Sequence, residues 1–177
     1  MFDIKLQSEY DDLDKMGVCN VSYKGTDLGY TSGFVKVAYS AESVEKKVDQ
    51  ADAALSELIT SQSFEVTVPM AEYDLTKFKE LFPGATLTGT GDTQALTLSG
   101  ASGGSMIPDS ALVANSSYEL VITPISGGVS EKITVHYAIP KPSLEFSFEK
   151  ENVRVYEITF RALKGPDGWV TFGYTVP

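Results

Sequence analysis

Several residue types that build catalytic and metal sites are almost missing from this chain. There is one cysteine, Cys19, one histidine, His136, one tryptophan, Trp169, and two arginines, Arg154 and Arg161. A single cysteine excludes a disulfide framework within the chain and any multi-cysteine metal site. A single histidine argues against a histidine-rich zinc site or a histidine relay. Positive charge is also scarce: 14 Lys and Arg stand against 24 Asp and Glu, a net charge of −10. Gripping nucleic acid requires clustered bases that displace counterions, so that function is not expected. A surface that lets nucleic acid pass without adhering is compatible with the same charge. No stretch approaches the ~18 apolar residues of a membrane-spanning helix. The opening MFDIKLQSEYDDLDKMG lacks a basic start followed by an apolar run, so export is not expected and assembly in a reducing cytoplasm is.

What is present supports a packed fold. The chain has 177 residues, 42% of them hydrophobic, with 9 Phe and 9 Tyr. That length is one domain, large enough to bury a core without covalent staples. We divide it into an N-terminal arm, 1–16, and a single β domain, 17–177. The charge is uneven. Residues 1–92 hold 16 acids and 8 bases, while 93–177 hold 8 acids and 6 bases. Glu42, Glu45, Asp49, Asp52, Glu57, Glu65 and Glu72 fall close together against Lys46 and Lys47. Taken alone, such a run reads as a solvated face.

The hydrophobic pattern is mostly of period 2. Cys19, Val21 and Tyr23 alternate with Val18, Asn20 and Ser22 in a short strand closed by a turn at Lys24-Gly25-Thr26-Asp27. Cys19 then reads as a small hydrophobe inside a strand, with no base beside it to make it a nucleophile. Val35, Val37 and Tyr39 alternate with Lys36, Ala38 and Ser40, and the phase changes before Val44 and Val48. A bulge or bend near Ala41–Ser43 accounts for the change. Phe64, Val66, Val68 and Met70 share one face of the return strand, with Glu65 and Thr67 on the other. Residues 33–70 therefore predict one long hairpin with an acidic tip around Asp49–Ala54. The run 53–58 has some helical character but is too short to form a stable helix by itself.

One helix is predicted over about 74–82. Asp74 is a good N-cap, Leu75, Phe78, Leu81 and Phe82 make one apolar face, and Pro83-Gly84 ends it. Further strands are expected at Ala95–Leu98, Tyr118–Pro124, Lys132–Ile139, Leu144–Phe148, Val153–Ala162 and Trp169–Val176. A one-residue slip at Tyr156-Glu157 adjusts the phase of the fifth of these. His136 lies on the polar side of its strand, where a solvent or interface contact is expected. The Gly/Ser loop 99–105 lacks the lysine and following helix of a phosphate-binding loop. Asp11, Asp12 and Asp14 lack the glycine and glutamate of a calcium loop. The sum is a mainly β domain: a sandwich or barrel-like pair of packed antiparallel sheets with one short flanking helix. No catalytic, metal or cofactor constellation is visible, and an enzyme is not expected.

The segments Leu28-Gly29-Tyr30-Thr31, Gly33–Val37, Val48-Asp49-Gln50, Phe64–Tyr73 and Phe82-Pro83-Gly84 together resemble the major tail tube proteins of long-tailed bacteriophages. The likeness covers roughly residues 17–90, and extends to the later strands only in layout. It rests on turns and hydrophobic spacing. The arm and the Gly/Ser loop depart from the family pattern.

The resemblance implies a structural virion protein and no enzyme. Subunits would close into hexameric rings, one sheet of each joining an inner barrel, and rings would stack into a tube. A type VI secretion tube protein is a related architecture. Lys36, Ser40, Glu42, Glu65 and Thr67 would face the lumen, and the acidic excess would keep DNA phosphates from sticking within about a Debye length, ~8 Å at physiological salt. Asp49, Gln50 and Asp52 at the tip, with Asp11 and Asp12 of the arm, would contact the next ring. The implied partners are further copies of the chain, the tape measure, terminator and baseplate or distal tail proteins, and genomic DNA that passes without specific binding. No membrane is implied. The implied location is the virion tail, after assembly in the host cytoplasm. Other readings compete with this one: a solitary β-sandwich serving as a decoration or adhesion module, with Trp169, Phe172 and Tyr174 as its exposed aromatic cluster, or a terminator or baseplate ring. An acid-pair glycosidase is a further alternative, for which no pair of carboxylates is singled out.

Overall fold

A computed structural model describes residues 18–46, 56–82, 84–98, 118–125, 131–141, 154–165 and 168–173. The arm 1–16, the hairpin tip with Asp49, Gln50 and Asp52, the Gly/Ser loop, and the expected strand Leu144–Phe148 lie outside them.

Strand β1 (Cys19–Tyr23) turns through Lys24 and Gly25, both at positive φ, into β2 (Thr26–Asp27). Two central residues with φ > 0 give a turn whose twist matches the strands it joins. Strands β3 (Lys36–Lys46) and β4 (Ser56–Met70) form the long antiparallel hairpin. Their register shifts between Glu42 and Ser43, inside the interval where the phase change demands a bulge. Residues 56–58 belong to β4, so strand pairing overrides the local helical character there.

Helix α1 (Leu75–Leu81) begins at Asp74, whose Oδ1 accepts from the Thr76 amide at 2.8 Å. It ends where Phe82 becomes extended and Gly84 takes φ 75°. Strands β5 (Ala85–Thr88) and β6 (Ala95–Leu98) pair separately. The rest is β7 (Leu120–Pro124), β8 (Ile133–Val135), β9 (Ala138–Pro140), β10 (Tyr156–Ala162) and β11 (Val170–Phe172).

Two antiparallel sheets carry the core, in the orders β11-β8-β7-β1-β2 and β3-β4-β10-β9. Val21, Tyr23, Leu120, Ile122 and Val135 from the first are buried with Phe64, Val66, Val68, Met70, Ile158 and Phe160 from the second. Alternation puts each set on one face of its sheet, and burial of those two faces drives the packing. The Tyr23 and Phe160 rings meet at 5.0 Å between centroids. Phe78 and Leu81 of α1 are buried in the same cluster, with Phe78 edge-on to Tyr156 at 5.0 Å. The architecture is thus mainly β, with packed antiparallel sheets and one short flanking helix, as the pattern predicts.

Two strands differ from expectation. The run Lys132–Ile139 is not one strand. It divides at His136-Tyr137, placing β8 in one sheet and β9 in the other. Tyr137 and Ala138 are both fully buried, and consecutive inward side chains need a change of chain direction. Alternation shows which side chains are apolar, but not which sheet receives them. His136 sits at this crossing, with Nε2 at 2.8 Å from the Thr171 hydroxyl. In β10 the alternation runs regularly from Tyr156, so the strand needs no slip within it.

The crossing is reinforced twice. The Tyr23 hydroxyl donates to the Ala138 carbonyl at 3.0 Å, tying the first sheet to the second. Gly165 leaves open the space where a Cβ would meet the Tyr137 ring. Burial, then the neighbouring Tyr118 and Glu80, push the Tyr23 phenol above its ordinary range. A phenol held protonated in the fold contributes stability that is complete below the unfolded value of about 10 and declines as pH rises above it.

Tyr23→Phe is expected to lose about 1–2 kcal/mol in a urea melt at pH 7, because the buried Ala138 carbonyl loses its donor. The same variant should show a shallower loss of stability between pH 10 and 11 than the parent. Gly165→Ala should destabilise by about 1–3 kcal/mol through displacement of Tyr137.

Candidate intersubunit surface

The hairpin outruns the domain that supports it. Strand β10 pairs with β4 only over Glu65–Met70. The first seven residues of β4 are exposed, and burial begins at Ser63. All eleven residues of β3 are exposed, and β3 is the edge of its sheet. Beyond Ser63 the hairpin is a two-stranded ribbon with no third strand among the described residues. Its apolar side chains are left bare: Tyr39 is 61% exposed, Val44 56%, Leu58 55% and Ile59 56%.

Pairing register brings the proposed lumen residues together. Lys36 lies opposite Thr67, Ala38 opposite Glu65, Ser40 opposite Ser63, and Glu42 opposite Ser61. Opposed residues in an antiparallel ladder share a face, so these eight side chains form one surface. It continues across the sheet, where Arg161 is opposite Glu65, Thr159 opposite Thr67 and Glu157 opposite Pro69. Five of these twelve side chains are hydroxyls, and they bond one another or a neighbouring carboxylate. The Ser40 and Ser63 hydroxyls lie 2.7 Å apart, Ser61 donates to Glu42 Oε2 at 2.9 Å, and the Thr67 and Thr159 hydroxyls lie 3.3 Å apart.

The charges on this face are mixed. Lys141 Nζ is 2.5 Å from Glu65 Oε1, and Arg161 is the cross-strand neighbour of the same carboxylate. Glu42, Glu65 and Glu157 are therefore accompanied by Lys36, Lys141 and Arg161. Composition alone gives an acidic wall, but register sets bases among these acids. The acidic excess of the hairpin lies further out, where Glu45 is directly opposite Glu57 and the Ser43 hydroxyl donates to Glu57 Oε1.

The two edges of the sheet are unlike. Along β9, Lys141 donates to Thr159, and Leu163 donates to Tyr137. The alternation then points the nitrogen of Pro140 away from β10, to the free edge, where it has no hydrogen to donate. This edge is short and blocked, the usual protection against edge pairing. The β3 edge is long and contains no proline.

The loop that opens the resemblance also has a mechanical role. Asp27 Oδ1 accepts from the Gly29 amide at 2.8 Å, Ala71 donates to the Tyr30 carbonyl, and Ser32 donates to the Pro69 carbonyl. Leu28 is buried beneath this loop, which locks the base of the ribbon to the core.

A groove missed by the sequence reading opens at the ribbon's root. Tyr39, Gln62, Phe64, Trp169, Val170 and Phe172 line about 430 Å³ of mostly apolar space. Phe64 and Phe172 meet edge-on at 6.3 Å. Trp169 and Phe172 are visible in the sequence as an aromatic cluster, but their proximity to Tyr39 needs the fold. Tyr174 lies outside the described residues. Half-buried Cys19 packs against the core, and burial pushes its thiol up, which leaves it poorly nucleophilic. Among the described residues, no three His, Cys, Asp or Glu side chains gather as a metal-binding group, and no helix is long and apolar enough to cross a membrane. No protein-family model and no curated protein matches the chain.

Amides of the distal ribbon, Glu57–Gln62, are expected to exchange with solvent about 100-fold faster than those of Glu65–Val68 in the isolated subunit, because only the latter lie where β10 also pairs with β4 and one face packs on the core. Hydrogen exchange read by mass spectrometry checks this, and equal protection would mean that the ribbon is covered.

Proposed function

We propose that the chain is a structural subunit that assembles into hexameric rings, which stack into the tail tube of a long-tailed bacteriophage. One observation supports this above the others: an eleven-residue edge strand, wholly exposed, on a ribbon that leaves the core. An unpaired edge of this length is a hazard for a monomer and is removed by joining a neighbour. Repeated head-to-tail contacts close into a ring when the rotation is right, and stacking extends rings into a tube. The layout of turns and long strands that resembles the family points the same way.

In this reading the face carrying Lys36, Ser40, Glu42, Glu65 and Thr67 lines the conduit. Its balance of charges weakens the electrostatic barrier that an all-acidic wall would raise. Slip comes instead from the lack of a basic run: scattered bases, of which Lys141 is already paired with Glu65, release few counterions and grip DNA weakly. Hydroxyls bonded to one another offer few unsatisfied donors to phosphate. The hairpin tip and the arm, including Asp49, Gln50, Asp52, Asp11 and Asp12, supply contacts to the next ring. The tape measure, terminator and baseplate proteins are the further partners, and the virion tail is the location. The exposed Phe172 beside Trp169 favours one other reading, a solitary sandwich that binds a partner through that aromatic patch.

Electron microscopy of the concentrated purified chain separates the two. Rings or tubes with a central hole are expected, and a featureless monomer at every concentration sinks the tube reading. Deleting residues 2–15 should shorten the tubes without lowering the melting temperature. Unchanged tube length would remove the arm from the inter-ring contact.

A further inference from the structure

Strand β3 ends its sheet in a long unpaired edge, and the other strands at sheet ends are short. We infer that two unassembled copies pair along β3, antiparallel, about a twofold axis at Tyr39. The inference goes beyond the assembly reading, because it gives the free subunit a state that guards its edge before any ring forms.

Length selects the partner. An edge strand presents a row of unpaired amides and carbonyls, and only a strand of similar length satisfies the whole row. Strand β3 has eleven residues. The other strands at sheet ends are β9 and β11 with three residues each, β2 with two, and β5 and β6 with four each. Pro140 also blocks β9. Among the described residues, the edge that matches β3 is therefore β3 of a second copy.

Face and charge then fix the register. The axis must pass through a residue, because an axis between two residues would set opposite faces against each other. Lys36, Ala38, Ser40 and Glu42 share one face, and Val37, Tyr39 and Ala41 the other. Aligning the two strands over their whole length puts the axis at Ala41 and sets Lys36 against Lys46 of the other copy. An axis at Glu42 opposes that carboxylate to its own copy. Both are unfavourable. An axis at Tyr39 sets Lys36 opposite Glu42 twice, once on each side of the dyad, over the stretch Lys36–Glu42. Ala38 then faces Ser40, and the two Tyr39 side chains, each 61% exposed, meet on the axis. No like charges are opposed. An axis at Val44 pairs Glu42 with Lys46 but uses only the shorter stretch Glu42–Lys46. Lys36 has no ion-pair partner in its own chain among the described residues, so it is available for the contact.

Such a contact is isologous and closes after two copies. It is also weak. The paired stretch is a strip about 24 Å long and one strand wide, well below the ~800 Å² per partner of a stable specific pair. A weak pair hides the edge and still releases it, which suits a subunit that later gives the same edge to a ring.

Sedimentation velocity of the full chain over a concentration series tests the pairing. A reversible monomer–dimer equilibrium is expected below the concentration at which rings appear. Lys36→Glu and Glu42→Lys each oppose like charges at both contacts, and each should raise the dissociation constant about tenfold or more. The double variant Lys36→Glu, Glu42→Lys restores two opposite-charge pairs and should return it close to the parent's value. Both positions are exposed, so unchanged circular dichroism is expected for all three. Tyr39→Cys reads the register separately. Opposed Cα atoms in an antiparallel pair lie about 4.5–5.5 Å apart, within reach of a disulfide. Mild oxidation should link that variant to its own copy, while Val44→Cys and the parent, with its half-buried Cys19, stay unlinked.

A chain that passes from monomer to rings with no dimer overturns this inference and leaves the tube reading standing. A dimer that the charge swap does not restore, or that Tyr39→Cys does not link, is held by another surface and overturns it as well. A dimer that meets both tests in a chain that never forms rings supports the pairing and sinks the tube reading.

Discussion

A mismatch of lengths governs this molecule. Strand β4 has fifteen residues, while its inner partner β10 pairs with six of them. Where both sheets are present, alternation buries one face of each strand and the domain is well packed. Past Ser63 the two strands continue, through the register shift at Glu42–Ser43, with no second sheet packed on them among the described residues. Two-stranded ribbons are marginal in water by themselves. This one is held at its base, where Phe64, Val66 and Val68 enter the core and the loop Leu28–Ser32 is bonded through Tyr30 and Ser32 to Ala71 and Pro69. The stability of the domain thus supports a projecting element that the element's own contacts do not.

The supporting core has its own dependency. Its sheets are joined at the Val135–Ala138 crossing, where one short run of chain leaves the first sheet and enters the second. Tyr23, Tyr137 and Gly165 fit together there, and His136 fastens the bend to Thr171. These residues lie far apart in sequence, and each is useful only because the others are present. The blocked β9 edge begins at the same crossing. The device that closes the core therefore also leaves β3 as the only long edge among the described strands.

Some of this was legible in the chain. Period-2 alternation gave the β class, the long hairpin and its inward set Phe64, Val66 and Val68. The phase break before Val44 gave the bulge, and Asp74 with Pro83-Gly84 bounded the helix within a residue or so. These features are local, decided by backbone geometry and by which side chains avoid water. The face shared by Lys36, Ser40, Glu42, Glu65 and Thr67 was legible for the same reason, since alternation on two paired strands fixes it once the register is right.

The remainder depends on which distant residues become neighbours. Charge composition indicated an acidic surface, yet Lys141 and Arg161 reach Glu65 only through the pairing of β10 and β9 with β4. The clean alternation from Ile133 to Ile139 concealed a change of sheet, because alternation carries no information about the partner strand. The groove joins Tyr39 to Trp169 and Phe172, across some 130 positions of sequence. By itself the sequence determined the strands, the inward faces and the scarcity of catalytic groups, all properties of local pattern and composition. Only the tertiary structure decided which edge stays open, which charges are compensated and where apolar surface is left uncovered, because each is set by long-range contacts.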